Sequence, residues 1–178
     1  ILRDWQDSDR VPYAAFNVDP DVRRYFYPET KTTAETNEMV DGMIAALAAD
    51  GFGFLAIERK SDGAFIGDAG LTRIDAATRA VMPNPGDIEI GWLLGKAYWG
   101  QGYATEAARA WLDYAFGSLN LPELVSFTQA GNLASQRAME KLGMVRDDAG
   151  AFEDPTVPEG HWQRPHVIYR IARPTGRA

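Results

Sequence analysis

The apolar positions switch between two periods along this chain, every second residue and every third or fourth, which predicts strands interleaved with helices. "ILRDW" reads as a first strand, and "DSDRVPYAAFNVDPDVRRYF" as short helical pieces broken by Pro12 and Pro20. In "TTAETNEMVDGMIAALAADG", Val40, Met43, Ile44 and Leu47 recur at helical spacing and Gly51 ends the run. "FGFLAIER" and "AFIGDAGLTRI" predict a hairpin around "KSDG". "DAATRAVMPNPG", with two prolines, predicts a loop, and "DIEIGWLL" a further strand.

A helix starting near Gln101 to Tyr103 follows, with Ala104, Ala107, Ala108, Trp111, Leu112 and Ala115 on one face. "LPELVSFTQAG" predicts a buried strand and "NLASQRAMEKLG" a helix capped by Asn132 and closed by Gly143. "DPTVPEGHWQRP" predicts a loop and "HVIYRIA" a last strand. This order implies a mixed α/β sheet with helices packed on it. The piece from Ile88 to Thr128 places its two strands parallel through a right-handed crossover. No repeat or linker interrupts the pattern, so residues 1–178 are expected to form one domain.

Composition narrows the function. A net charge of −7 argues against a nucleic-acid partner and is compatible with a cationic one, or with no more than solubility. No apolar run has the length of a membrane span, and no leader-like segment opens the sequence, so a cytoplasmic location is expected. Without cysteine, there is no disulfide, thiolate metal site or cysteine nucleophile. Two histidines without a matched carboxylate spacing predict no metal site.

The chemistry concentrates in two stretches. "WGQGYATEA" places glycines at a helix start, where amides without internal partners face outward at the positive end of the dipole. Such a turn is either a tight connection only or an anion site. It has neither the Gly-Lys-Ser/Thr ending of a P-loop nor the third glycine of a dinucleotide fingerprint. In "NLASQRAMEKLGM", Ser135 shares a face with Ala138, Met139 and Leu142; its hydroxyl either bonds back to the preceding turn or faces a cleft.

Together "IEIGWLLGKAYWGQGYATEA", "VSFTQAGNLASQRAMEKLGM" and "PEGHWQRPHVIYR" resemble the GNAT superfamily of N-acetyltransferases, in its RimJ/RimL-like branch. The resemblance runs from "ILRDW" to "YRI". It implies a central, mostly antiparallel mixed sheet of about seven strands, helices on both faces, and a splay between two parallel strands. It implies acetyl-CoA as co-substrate, with pantetheine against Trp92, Leu93 and Leu94 and pyrophosphate on Gly100, Gln101, Gly102, Tyr103, Ala104 and Thr105. Asn132 either bonds the pantetheine or holds its own turn. Trp99 stands where the wider superfamily carries Arg or Gln, which leaves more of the phosphate site to backbone. Met139 stands where many relatives carry a tyrosine acid, and a thioether cannot donate a proton. A homodimer is compatible with the resemblance.

Acetyl transfer needs a base for the amine, donors for the tetrahedral oxyanion and a proton for the thiolate. Strand alternation turns Glu89, Gly91 and Leu93 away from Ile88, Ile90, Trp92 and Leu94, with Gly91 leaving room beside Glu89. Burial would raise the Glu89 pKa, and the resemblance makes Glu89 the base, directly or through water. The alternative is an edge glutamate paired with an arginine. The resemblance makes Ser135 the candidate acid, or else only a contact for the CoA sulfur region, and an amide at Leu93 or Leu94 the oxyanion donor. Glu106 is explained by the helix dipole. The loop from Asp154 to Pro165 reads as a wall on the substrate side, with His161 as a contact and the role of His166 open. Tyr25, Phe26, Tyr27 and Trp162 either line that cleft or belong to a core. The expected function is acetyl transfer to a primary amine, on a peptide N-terminus or a small molecule. The alternative is an acyl-CoA sensor of the same fold.

Overall fold

In the computed structural model, which describes residues 1–174, seven strands form: β1 (Leu2–Arg3), β2 (Phe54–Glu58), β3 (Phe65–Arg73), β4 (Ile88–Leu94), β5 (Glu123–Gln129), β6 (Val145–Glu153) and β7 (Pro165–Ala172). The helices among these residues are α1 (Arg10–Asn17), α2 (Pro20–Arg23), α3 (Thr33–Asp50), α4 (Ala76–Val81), α5 (Tyr103–Gly117) and α6 (Leu133–Lys141). The strands join one sheet in the order β1–β2–β3–β4–β5–β7–β6. All pairings are antiparallel except β4 with β5, which the α5 crossover makes parallel. This is the mixed sheet that the sequence pattern implied.

Each face of the sheet is sealed by a different set of helices. Ala107, Ala108, Trp111, Leu112 and Ala115 of α5, with Met139 of α6, pack on Ile66, Leu71, Ile88, Ile90, Leu94 and Leu124. The Trp111 indole N–H, buried with its ring, donates to the Ala69 carbonyl at 2.9 Å and so avoids an unpaired polar group. On the opposite face Tyr13, Val22 and Val40 pack on Ala56, Phe65 and Leu93.

Three local expectations change, and one strand appears where none was expected. Pro12 lies inside α1 and does not break it, because it stands in the first turn, where its missing N–H has no partner to lose. Residues 75–86 are not all loop: Asp75 Oδ1 accepts from the amides of Ala77 and Thr78 and starts α4. On α3 the buried positions are Thr36 and Val40, while Ile44 is 40% exposed, so its inward face is rotated from the one read by spacing. β6 carries no alternation strong enough to be read, because it is the sheet edge, mostly exposed, with a register shift between Asp147 and Phe152.

Candidate active site

β4 is paired along its length with β3, from Ile88 opposite Arg73 to Leu94 opposite Gly67. It meets β5 at one parallel pair only, Glu89 with Val125. The two strands therefore splay beyond that point. Gly95 N–H donates to the Ile66 carbonyl at 3.1 Å, so odd-numbered backbone groups here serve β3. Alternation turns the backbone of Trp92 and Leu94 towards the splay and that of Leu93 towards β3. The Leu94 carbonyl accepts the Trp99 indole N–H at 2.8 Å, tying the strand end to the following turn.

That turn is built for left-handed backbone. Gly100 and Gly102 have φ of 73° and 87°, and no atom comes within 4 Å of where either Cβ would stand. Gly102 is the N-cap of α5 and supplies no capping side chain. The amides of Tyr103, Ala104 and Thr105 thus begin a fifteen-residue helix without a side-chain partner. Gln101 is exposed and donates back to the Ala97 carbonyl at 2.9 Å. Arg59, which the sequence reading passed over, extends from the end of β2 to lie 5.2 Å from the Tyr98 ring centroid and beside the Tyr103 hydroxyl. Its sequence position after a strand gives no sign of this, because the hairpin has to fold first. Glu106 is exposed in the first turn, as its dipole role requires.

At the end of β5, Asn132 Oδ1 caps α6 through the Ser135 amide at 3.3 Å, and its Nδ2 donates to Thr128 Oγ1 at 2.9 Å. Asn132 thus holds its own turn. Ser135 is half-buried, and among the described residues its hydroxyl makes no hydrogen bond, so it does not bond back to the preceding turn. Met139 is 1% exposed within the core. The Tyr169 hydroxyl, against the same helix, donates to Glu140.

Glu89 stands on the other face of the sheet. It makes no ion pair or hydrogen bond among the described residues, so the arginine-paired alternative does not occur. Burial, with repulsion from Asp75 second, pushes its carboxyl up to about 8. The space beside Gly91 is taken by a ring: Phe54 Cζ comes within 3.0 Å of the Gly91 Cβ position, and Glu89 Oε1 within 4.0 Å of it. A second carboxyl, Asp68, faces the same side opposite Leu93; it is 1% exposed, its Oδ2 is unpartnered, and burial raises it to about 7 despite the Tyr13 hydroxyl and the Leu93 amide. An aspartate in the apolar run "FIGDAGL" was the available sign of it.

The loop from Asp154 to Pro165 meets the segment after α2 on this face. Buried Gln163 donates through Nε2 to the carbonyls of Arg24 (2.7 Å) and Phe26 (3.0 Å). Gln129 of β5 donates to the Trp162 carbonyl at 2.9 Å. Tyr25 lies against Trp162 and Tyr27 against His161. Phe26, Tyr27 and Trp162 are 40%, 42% and 48% exposed, so these aromatics are not core. His166 is buried on Phe152, with Nδ1 at 3.0 Å from the Arg164 carbonyl. No group of three metal-ligating side chains forms among the described residues, and no described helix is long and apolar enough to cross a membrane.

A mixed seven-stranded sheet splayed at one parallel pair is also what known proteins share with this chain. The family described as acetyltransferase (GNAT) domain matches residues 1–145. The chain belongs to the GNAT acetyltransferase family. It is 35% identical over 169 residues to the uncharacterized protein YkkB of Bacillus subtilis, covering 94% of this chain and 89% of that one. It is 31% identical to the uncharacterized N-acetyltransferase p20 of Bacillus licheniformis, covering 82% of each. Among solved structures, a GNAT-family acetyltransferase from Bacillus anthracis superposes with a TM-score of 0.77 at 25% identity, over 97% of this chain and 93% of that one. The Vibrio cholerae spermidine N-acetyltransferase, solved with CoA and spermine, has a TM-score of 0.74 over 97% of this chain and 95% of its own; at 18% identity it shows the shared GNAT fold alone.

Proposed function

We propose that this GNAT domain is an acetyl-CoA-dependent N-acetyltransferase, RimJ/RimL-like and cytoplasmic, acting on a primary amine in a ternary complex. The observation that carries the reading is Glu89: an unpaired carboxyl, held protonatable near neutrality, at the vertex where β4 and β5 part. Acetyl-CoA fits the splay. Backbone at Trp92 and Leu94 faces the pantetheine, and the amides from Gly100 to Thr105 receive the pyrophosphate, with open space where glycine Cβ atoms would intrude.

The acceptor nitrogen attacks the acetyl carbonyl carbon, and Glu89 takes its proton, directly or through water. The Leu94 N–H, on the splay side of β4, donates to the oxyanion that forms. As the oxyanion collapses, the carbon–sulfur bond breaks and the leaving thiolate takes a proton from the Ser135 hydroxyl, which takes one in turn from solvent water. The acceptor is a small amine or a peptide N-terminus. The net charge of −7 favours a cationic one. The protein acts alone or as a homodimer.

Purified protein given acetyl-CoA and a panel of amines, peptides and polyamines is expected to release free CoA, read by a thiol reagent, together with the acetylated amine by mass. CoA binding without turnover on any acceptor would support the second reading, an acyl-CoA sensor, which is favoured by the core position of Met139 where a tyrosine acid would stand. Arg59, beside the start of α5 and paired with Asp62, presents its guanidinium at the phosphate end. Arg59→Ala is expected to raise KM for acetyl-CoA several-fold, more at low than at high salt, and to leave kcat within twofold. A salt-independent change would remove Arg59 from the site.

A further inference from the structure

The face of the sheet that carries Glu89 also carries an apolar groove of about 270 Å³ beneath α3. Met39, Gly42, Met43 and Ala46 of α3 form one wall, and Gly53, Phe54 and Thr72 contribute to the other. Two residues of its lining, Phe54 and Thr72, also border Glu89. Thr72 is the cross-strand partner of Glu89, so the two side chains leave the sheet on the same side. Phe54 has its ring against Gly91, next to Glu89 Oε1. The interior is lined by thioethers, a ring and small residues. The helix that forms the wall is acidic: α3 bears Glu35, Glu38, Asp41 and Asp50 and no lysine or arginine. Asp41 and Asp50 are paired with Arg10 and Arg73, and Glu35 caps its own helix, which leaves exposed Glu38 on that helix for a cation.

We propose that this groove holds the apolar body of the acceptor, and that the substrate is a compact primary amine carrying an alkyl or aryl group. The proposal rests on the acetyltransferase reading and adds the chemistry of the acceptor to it. The volume is below the roughly 300–1,000 Å³ of pockets that enclose drug-sized ligands, so a short chain or a single ring fills it and a folded polypeptide does not enter. Met39 and Met43 are unbranched and adapt to either shape. The amine then sits at the Glu89 end, where its proton is taken. The rest of the molecule displaces water from the groove.

Alkylamines from ethyl to hexyl, with phenethylamine, test this on the unmodified protein. kcat/KM is expected to rise roughly fourfold per added methylene until the groove is full, at constant KM for acetyl-CoA. Gly42 offers a matched block, because no atom lies within 4 Å of its Cβ position and its φ is ordinary. Gly42→Phe is expected to bring hexylamine down to the rate of ethylamine while ethylamine stays within twofold. Ala46→Phe, from the next turn of the same wall, should do the same, and covers the case in which the first variant does not fold. Equal rates along the amine series overturn the groove and leave acetyl transfer standing. So does acetylation of peptide N-termini with none of any alkylamine. No transfer to any amine overturns both.

Discussion

Replacing Glu89 by glutamine is expected to lower kcat by about 10²–10⁴-fold, the contribution of a positioned general base, while acetyl-CoA still binds. Glutamine keeps the shape and cannot take a proton. In the unmodified protein kcat/KM should climb with pH through about 8, where burial places this carboxyl, because only the ionised form accepts the amine proton. The Gln variant should lose that limb and keep the shallower rise from the amine itself. Unchanged turnover, or an unchanged limb, would remove Glu89 as the base.

A second readout is independent of catalysis. Folding raises the Glu89 pKa from 4.5 to about 8, so the folded chain binds this proton more tightly than the unfolded one. The resulting contribution is fully present below about pH 4.5 and is lost as the pH rises through about 8. Glu89→Gln should therefore melt above the unmodified protein at pH 9, and the two should converge towards pH 4.5. Equal melting temperatures at pH 9 would mean that the carboxyl is solvated in the folded protein.

Gly102→Ala is the second large effect expected. At φ 87° an alanine costs about 1–2 kcal/mol of backbone strain, although its Cβ meets nothing. Strain relieved by turning the peptide redirects the amides at the start of α5. Losing one hydrogen bond to a charged ligand, at about 1.5–3 kcal/mol, raises KM for acetyl-CoA roughly 10–100-fold. Gly117→Ala, at the other end of the same helix with open space and ordinary φ, is the control and should leave KM within twofold. If Gly102→Ala lowers the melting temperature alone and leaves KM intact, the turn is a connection and not an anion cradle.

The periodicity of "AARAWLDYAF" and the strand alternation of "DIEIGWLL" were enough to assign α5, β4 and their inward faces, because each element buries one continuous apolar face. α4 and β6 escaped for opposite reasons. α4 is six residues started by the side chain of Asp75, too short for a period to show. β6 bonds on one side only and needs little apolar surface.

The family pattern was legible in "WGQGYATEA" and "NLAS" because left-handed turns and helix caps need particular residues at particular positions. The chemistry of Glu89 was not readable to the same depth. A glutamate in an apolar strand suggests a raised pKa, but only the packed sheet removes every arginine from its reach and lays Phe54 over Gly91. Asp68, Arg59 and the Gln163 bonds to residues 137 and 139 positions earlier are likewise products of folding. Local propensity and periodicity act between near neighbours along the chain, and so sequence determined most of the elements and their order. Burial, charge separation and the groove under α3 arise between residues far apart in sequence, and only the tertiary structure could decide them.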